Sequence, residues 1–395
     1  MTNKIAMSSP DITDAERNAV IEVINTPYLS MGPKIKAFEE SFRSLTGCKH
    51  AIAVNSGTSA LHLCIRATDI KPGDLVITTP FSFVSSTNVI LFEQAIPVFV
   101  DVDPLTGNID PQLVKNAVED ILSEDANKIN KWLPHKGTQD LGKLKAILAV
   151  DVFGQPADFD PIADTAKQYG LKLIEDSCEA LGAEYKNRKA GTLGDHGTFA
   201  FYPNKQITTG EGGMIVTNID KDANLMTALR NQGRDPGDTW LQHTHLGYNY
   251  RLGEISAAIG LVQMNRLEEL LQSREKVAEW YQHNLSSIDE ISTPYISSDT
   301  TRVSWFVYVI RVKSPIDRND LANELQLKGI PVRPYFLPIH LQPYMVDRFG
   351  YKSGDFPITE ELGKIGLALP FSGKMKEEEV IQVSNAIKDC LKSMK

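Results

Sequence analysis

Short apolar runs alternate with longer amphipathic segments through the first two-thirds of the chain. Seven of the runs are rich in the β-branched residues that favour strands. They are AIAVNS (51–56), DLVITTP (74–80), IPVFVDVD (96–103), KAILAVDVFG (145–154), LKLIEDS (171–177), GTFAFYP (197–203) and GGMIVTN (212–218). The segments 59–68 and 157–170 between them have helical spacing. This alternation predicts an α/β fold with a mostly parallel, buried central sheet.

The pattern changes near Leu252, after which apolar residues recur at helical spacing, with charges between them, as far as about Leu285. A strand, VSWFVYVIRV (303–312), and a closing helix over 376–394 are predicted beyond this helical connector. We therefore expect a large α/β domain over residues 1–250, and the connector with a small C-terminal α+β domain over residues 251–395. The largely polar segment 115–145 is predicted to form a surface excursion of the first domain.

Composition narrows the class of protein. A single core stops growing at roughly 250–300 residues, so a chain of 395 residues fits one large and one smaller domain. The formal net charge of −9 argues against a nucleic-acid partner. We expect no membrane partner either, since no apolar run approaches the ~20 residues of a span and the N-terminus has no signal-peptide core. Four scattered cysteines without CxxC spacing fit a reducing cytoplasm.

The stretch FYPNKQITTGEGG (201–213) contains the most informative lysine, Lys205. A nucleotide P-loop places its glycines before the lysine, whereas here they follow it, and so that interpretation fails. A solvated surface charge is the ordinary role of a lysine. However, Lys205 follows an apolar strand, at the position where α/β sheets build sites. A partly desolvated lysine there can form a Schiff base with a carbonyl group.

If that carbonyl belongs to pyridoxal 5′-phosphate (PLP), three further parts are required. An acid must keep the pyridine nitrogen protonated, and Asp176 ends a predicted strand, although such an acid can also be a helix cap. A helix N-terminus must bind the phosphate, and the turn Ser56-Gly57-Thr58 precedes a predicted helix. A flat side chain should cover the ring; Phe81 and Phe83 follow another strand, although a lone aromatic is usually part of the core. Each signal is weak alone, but all of them fall at strand ends.

These residues lie within a set of motifs that resembles the DegT/DnrJ/EryC1/StrS family. The motifs are YLSMGPKIKAFEESF, AVNSGTSALHL, PVFVDVD, IEDSCEALGAEY, FYPNKQITTGEGGMIVTN, GYNYRLGEISAAIGLVQMNRL and RPYFLPIHLQP. The resemblance runs from about Leu29 to the end of the chain. It implies PLP-dependent sugar aminotransferases of the aspartate-aminotransferase fold (fold type I), acting as homodimers with active sites shared between subunits. It also implies an amino-acid donor, with L-glutamate expected, and a keto-sugar acceptor, usually a nucleotide-linked 4-keto or 3-keto 6-deoxyhexose.

The resemblance assigns a role to particular positions. Lys205 matches the Schiff-base lysine and the proton carrier, and Asp176 matches the partner of the pyridine nitrogen. Gly57 and Thr58 match the phosphate-binding turn, and Phe83 matches the stacking aromatic. The remaining matches are Asn249, which reaches the phosphate of the other subunit, and the substrate-cleft residues Ser30, Tyr335 and His340.

Two positions depart from the family pattern. Glu179 stands where many members have glutamine or histidine near the phenolic oxygen of the cofactor, and Ala200 replaces a phosphate-binding serine. We expect phosphate binding to depend more strongly on residues 57–59 and Asn249, and a carboxylate at position 179 to shift the titration of the bound cofactor. Neither departure removes the chemistry.

Two other functions compete with transamination. Some family members are sugar dehydratases in which histidine replaces the lysine, so Lys205 argues against that activity. A non-catalytic regulatory relative is disfavoured because the lysine, the acid and the phosphate turn are all present. A metal site is not expected either: His243 and His245 form the only close histidine pair, and the chain has no HExxH motif.

Overall fold

The computed structural model describes residues 5–123 and 125–394. Every run predicted as a strand in the first two-thirds of the chain is a strand. The strands are β1 His50–Val54, β2 Leu75–Thr78, β3 Ile96–Phe99, β4 Leu144–Val150, β5 Lys172–Asp176, β6 Glu184–Tyr185, β7 Arg188–Lys189, β8 His196–Ala200, β9 Gly213–Thr217, β10 Ile291–Ser292, β11 Thr300–Arg302, β12 Tyr308–Val312, β13 Arg333–Pro334 and β14 Gly366–Leu369.

Helices occupy most of the amphipathic segments between the strands. They are α1 Asp14–Ile24, α2 Pro33–Thr46, α3 Gly57–Ala67, α4 Ser85–Phe92, α5 Pro111–Ile121, α6 Ala126–Asn130, α7 Phe159–Tyr169, α8 Asp220–Arg230, α9 Glu254–Asn265, α10 Leu267–Leu285, α11 Arg318–Leu327, α12 Pro343–Phe349, α13 Pro357–Ile365 and α14 Glu377–Ser393. The predicted helices at 59–68 and 157–170 correspond to α3 and α7, and the predicted connector divides into α9 and α10.

The central sheet has seven strands in the order β1-β9-β8-β5-β4-β2-β3. The pairs from β8 through β5, β4 and β2 to β3 are parallel, whereas β9 runs antiparallel to both of its neighbours. This confirms the mostly parallel sheet. Since β1 and β8 both oppose β9, β1 points the same way as β8 and β5. Their carboxyl ends therefore lie at one edge of the sheet.

A second sheet, in the order β10-β12-β14-β13, lies in the C-terminal part of the chain and packs against α10, α11 and α14 around its own apolar core. The strand predicted over 303–312 begins only at Tyr308. The residues before it bond elsewhere: the Ser304 amide donates to the Gly154 carbonyl at 2.9 Å, and the carbonyls of Trp305 and Phe306 accept from Arg274.

The predicted surface excursion over residues 115–145 starts and finishes in buried elements, while most of the described residues between them are exposed. It begins inside helix α5, where Ala117 and Val118 are fully buried, and it ends in strand β4. Between them Leu133 lies in the core and the Trp132 indole donates to Asp120 at 2.8 Å. Periodicity fails here because these contacts are isolated rather than repeated. In the described parts of the chain, no helix is both long and apolar enough to cross a bilayer.

Candidate active site

One cleft of about 510 Å³ opens at the carboxyl edge of the central sheet. Three segments that follow parallel strands reach it: the N-terminus of α3 after β1, the end of β5 with Asp176, and the turn after β8 with Lys205. Residues about 30 to 150 positions apart in the sequence therefore face the same space. Carboxyl ends of parallel strands are where open α/β sheets bind ligands.

Lys205 places its ammonium group between an acid and an aromatic ring. The Nζ atom lies 3.6 Å from Oε1 of Glu179 and 3.8 Å from the centre of the Phe306 ring. The lysine side chain is only 13% exposed. The amine is therefore held inside the cleft wall and is not a solvated surface charge.

Asp176 is buried at the base of the cleft. Its carboxylate accepts hydrogen bonds from the Ser86 hydroxyl at 3.1 Å and from the Cys178 amide at 3.2 Å. Burial raises the pKa of Asp176, while Cys178, Ser86 and the charge of Lys205 act in the opposite direction. Such a buried carboxylate, with few donors, is suited to pair with a protonated ring nitrogen.

Glu179 is also buried, and its Oε2 accepts from the Phe153 amide at 3.0 Å. Burial raises the pKa of this carboxyl, and the charge of Lys205 partly offsets the shift. Glu179, which departs from the family pattern, thus stands beside the Lys205 amine.

The turn before α3 combines a capped helix end with close backbone packing. The Ser56 hydroxyl accepts from the Ser59 amide at 3.0 Å, and Thr58 and Ser85 share a hydrogen bond of 2.9 Å. A Cβ added to Gly57 would lie 2.6 Å from the Cβ of Ala200. Glycine is therefore required at this turn. Free backbone amides at a helix N-terminus form a phosphate site.

Two aromatic side chains flank the opening. Phe83 is 63% exposed although it lines the cleft, so one face of its ring is available to a ligand. Tyr335 also lines the cleft, and burial raises its pKa to about 12. The tyrosine is therefore a neutral hydrogen-bonding group at ordinary pH.

Three of the predicted residues, Ser30, Asn249 and His340, do not line the cleft of their own chain. Ser30 and Asn249 are exposed: Ser30 forms a β-bridge with Gly253, and the Asn249 carbonyl accepts from the Asn55 side chain at 3.3 Å.

The predicted position of His340 in the substrate cleft requires correction. The side chain is fully buried, and its Nε2 lies 3.0 Å from Oε1 of Glu360. Its ring packs 4.8 Å from the Phe356 ring, and burial lowers the pKa of the imidazole. The motif RPYFLPIH brings Tyr335 to the cleft, but the following turn directs the histidine into the core.

Several cleft residues were not predicted from the sequence. Ser86, which bonds Asp176, lies in the serine pair after FSFV, and that polar cluster at a strand end was an available signal. Phe306 lies within the apolar run predicted as a strand, and nothing in that run distinguishes it from core residues. Cys178 lines the cleft beside Gly57.

Two further acids form a buried pair behind the site. The Ser177 hydroxyl lies 2.6 Å from Oδ2 of Asp151 and 3.2 Å from Oε1 of Glu175, and both carboxyls are fully buried. One hydroxyl has one proton to donate, so both contacts are satisfied only if one carboxyl is protonated. Burial raises the pKa of Asp151, and it raises that of Glu175 to about 7.

The arrangement is that of a PLP enzyme of fold type I, in which a lysine, an acid and a helix N-terminus converge at the sheet edge. The chain belongs to the DegT/DnrJ/EryC1/StrS aminotransferase family, whose model matches residues 10–388. It is accordingly a PLP-dependent aminotransferase of a family that acts in sugar metabolism.

Individual relatives cover nearly the whole chain. GDP-perosamine synthase of Caulobacter vibrioides is 37% identical over 392 residues, which is 98% of each chain. Helicobacter pylori PseC, an aminotransferase of pseudoaminic acid biosynthesis, is 27% identical with a TM-score of 0.87, covering 99% of this chain and 100% of that one. The Escherichia coli GDP-4-keto-6-deoxy-D-mannose-3-dehydratase with bound hydrated PLP is 26% identical with a TM-score of 0.85, covering 97% and 99%.

The residues present fit the cofactor. An amine, a buried carboxylate and a helix N-terminus with closely packed Gly57 all border one cleft, and Phe83 offers an exposed ring face. Ala200 supplies no hydroxyl at the turn before α3. Ser56, Thr58 and Ser85 supply hydroxyls at the same turn.

Proposed function

We propose that this protein transfers the amino group of L-glutamate to a nucleotide-linked keto-6-deoxyhexose, at carbon 4 or carbon 3. The observation that carries the proposal is the convergence of Lys205, buried Asp176 and the α3 N-terminus in one cleft. The relatives named GDP-perosamine synthase, from Caulobacter vibrioides, Escherichia coli O157:H7 and Vibrio cholerae, support a sugar attached to a nucleoside diphosphate and favour GDP.

Each cleft residue has a task in this reaction. Lys205 holds the cofactor and, once released, carries a proton to and from the substrate carbon as base and acid. Asp176 keeps the pyridine nitrogen protonated, and the bound cofactor then supplies an electron sink. The amides and hydroxyls of residues 56–58 bind the phosphate, and Phe83 covers the ring. Glu179, held by the Phe153 amide, faces the Lys205 amine and stabilises its positive charge.

The proposed active unit is a homodimer in which Asn249 of one subunit reaches the phosphate in the cleft of the other. Two observations support it. Asn249 is exposed and lies outside the cleft of its own chain. Large apolar side chains are also exposed, including Tyr28 at 60%, Trp240 at 83% and Leu246 at 84%. Such exposure in a folded chain is typical of an interface. A species of one chain by sedimentation of the holoenzyme would contradict the dimer.

We also propose the division into a large domain, 1–250, and a smaller unit, 251–395, that begins with α9 and α10. The separate core around the second sheet supports it. Limited proteolysis that yields no fragment boundary near residue 250 would argue against two separable units. In this arrangement Tyr335 reaches the cleft from the smaller unit, while the cofactor residues of the same chain belong to the larger one.

The function is tested with a panel of GDP-, UDP- and dTDP-linked keto-sugars, L-glutamate and mass spectrometry of the products. The parent enzyme should form an amino-sugar and 2-oxoglutarate. Lys205→Ala should lose the visible absorbance of the bound cofactor and nearly all turnover, whereas Lys131→Ala, which removes a lysine that is 65% exposed, should keep both. Parent-like turnover by Lys205→Ala would refute the assignment. Loss of water from the sugar without amination would instead indicate a dehydratase.

A further inference from the structure

Arg274, on helix α10, is a buried cation with an unusual set of partners. Its side chain is 4% exposed, and no carboxylate within the described residues lies within ion-pair distance of it. Burial lowers the pKa of its guanidinium to about 10. A buried charge without an opposite charge is costly unless dipoles satisfy its donors. The hydrogen-bond acceptors of the Arg274 guanidinium therefore indicate the role of this residue.

Four backbone carbonyls accept from the guanidinium, two from each of two segments. Nη2 donates to the carbonyls of Lys205 at 2.6 Å and Asn204 at 3.1 Å. Nη1 donates to those of Trp305 at 3.2 Å and Phe306 at 3.3 Å. A planar fork of N–H groups can hold two such pairs at a fixed separation, whereas a lysine ammonium cannot.

The two segments, 204–205 and 305–306, carry the Lys205 amine and the Phe306 ring, which meet in the cleft. The Lys205 amine lies 3.8 Å from the centre of the Phe306 ring, so Arg274 fixes the backbones of both members of this contact. A second connection runs alongside it: the Gln206 side chain donates to the carbonyls of Glu179 at 2.5 Å and Ser304 at 3.1 Å. Both connections join the lysine turn to the residues just before strand β12.

A lysine side chain has four rotatable bonds, so the place of its amine depends on where its backbone is held and on what borders the chain. We propose that Arg274 is a positioning residue, which with Gln206 holds the Lys205 backbone against the Phe306 segment and so directs the amine at the cofactor. This inference rests on the proposed role of Lys205. It gives the helical connector a part in the reaction, since α10 belongs to it.

The test uses the holoenzyme and three variants. Arg274→Lys keeps the charge but removes the fork, and Gln206→Met removes the second connection while keeping the volume. Arg302→Lys is the matched control, because Arg302 makes a bidentate contact to Glu268 of the same helix, at 2.8 and 2.9 Å, outside the cleft. The readouts are the visible circular dichroism per bound cofactor, which reports its orientation, and the separate values of kcat and KM.

We expect Arg274→Lys to lose visible circular dichroism and to lower kcat by about 10- to 100-fold, with KM for the amino donor changed by less than about threefold, since misplacement of a reacting group by about 1 Å costs this much. Gln206→Met should change both readouts in the same direction but less, and Arg302→Lys should resemble the parent. If Arg274→Lys does not fold, Gln206→Met carries the comparison.

Parent-like dichroism and kcat in the Arg274→Lys holoenzyme, or in Gln206→Met where that variant carries the comparison, would overturn the proposal. An equal loss in Arg302→Lys would also overturn it, because the effect would then reflect only the anchoring of α10. The dichroism needs bound PLP but neither the sugar nor the donor. If the proposed substrates are wrong, the parent enzyme will show no turnover with them. Its visible circular dichroism will still be present, so the variants can still be compared by that readout.

Discussion

Glu254 is the first residue of helix α9, yet its carboxylate caps a different helix. It is 1% exposed and accepts from the amides of Gly32 at 2.9 Å, Lys34 at 2.8 Å and Ile35 at 3.0 Å, at the start of helix α2. Gly32 is the N-cap of α2 and has no side chain to satisfy these amides. The Glu254 amide also donates to the Leu29 carbonyl at 3.2 Å. We predict that substitution of Glu254 destabilises the fold strongly.

The magnitude follows from the three contacts. Each hydrogen bond to a charged group contributes about 1.5–3 kcal/mol, and the carboxylate also interacts with the positive end of α2. The Lys34 amide is only partly buried, so water recovers some of its loss. We therefore expect Glu254→Ala to lower the free energy of unfolding by about 3–6 kcal/mol. Glu254→Gln can keep the two bonds to Oε1 and should lose about 1.5–3 kcal/mol.

The assay is urea unfolding followed by far-ultraviolet circular dichroism, at one protein concentration and saturating PLP, because partner and ligand binding shift apparent stability. Glu269→Ala is the control: its side chain is 63% exposed and paired with Arg266, and an exposed pair contributes about 0–1 kcal/mol. The order should be parent, glutamine variant, alanine variant. A Glu254→Ala protein as stable as the control variant would refute the reasoning.

Two further predictions concern the cofactor turn and pH. Gly57→Ala would place a Cβ 2.6 Å from that of Ala200. It should weaken PLP affinity by about 10- to 100-fold, which corresponds to the loss of one charge-assisted hydrogen bond. The control is Gly253→Ala, whose added Cβ has no neighbour within 4 Å, and equal affinities of the two variants in a PLP titration would contradict the prediction. The raised pKa of Glu175 means that the folded protein keeps a proton which the unfolded chain releases, so the free energy of unfolding should fall as pH rises from 4.5 to about 7. Asp151→Asn should reduce this fall because it removes one of the two paired acids, and an unchanged pH dependence would show that the pair does not share a proton.

Local patterns predicted most of the fold because each strand of the central sheet is buried along nearly its whole length. Such strands appear as continuous β-branched runs whatever their neighbours are. The start of β12 was misplaced because residues 303–307 continue the apolar run with only Ser304 polar, but they are held by Gly154 and Arg274 rather than by a neighbouring strand. His340 was misplaced for a related reason: a motif gives the order of residues but not the direction of a side chain after a turn.

The sequence by itself determined the α/β alternation and predicted Lys205, Asp176 and the turn 56–58 as cofactor-site residues, because these depend on residue type and on position at the end of a strand. Only the tertiary structure decided which distant groups complete the site. The contact of Phe306 with Lys205 and the hydrogen bonds of Arg274 join residues 31 to 101 positions apart, and Glu254 caps a helix more than 200 positions away. Such contacts follow from the packing of whole elements, and no local periodicity encodes them.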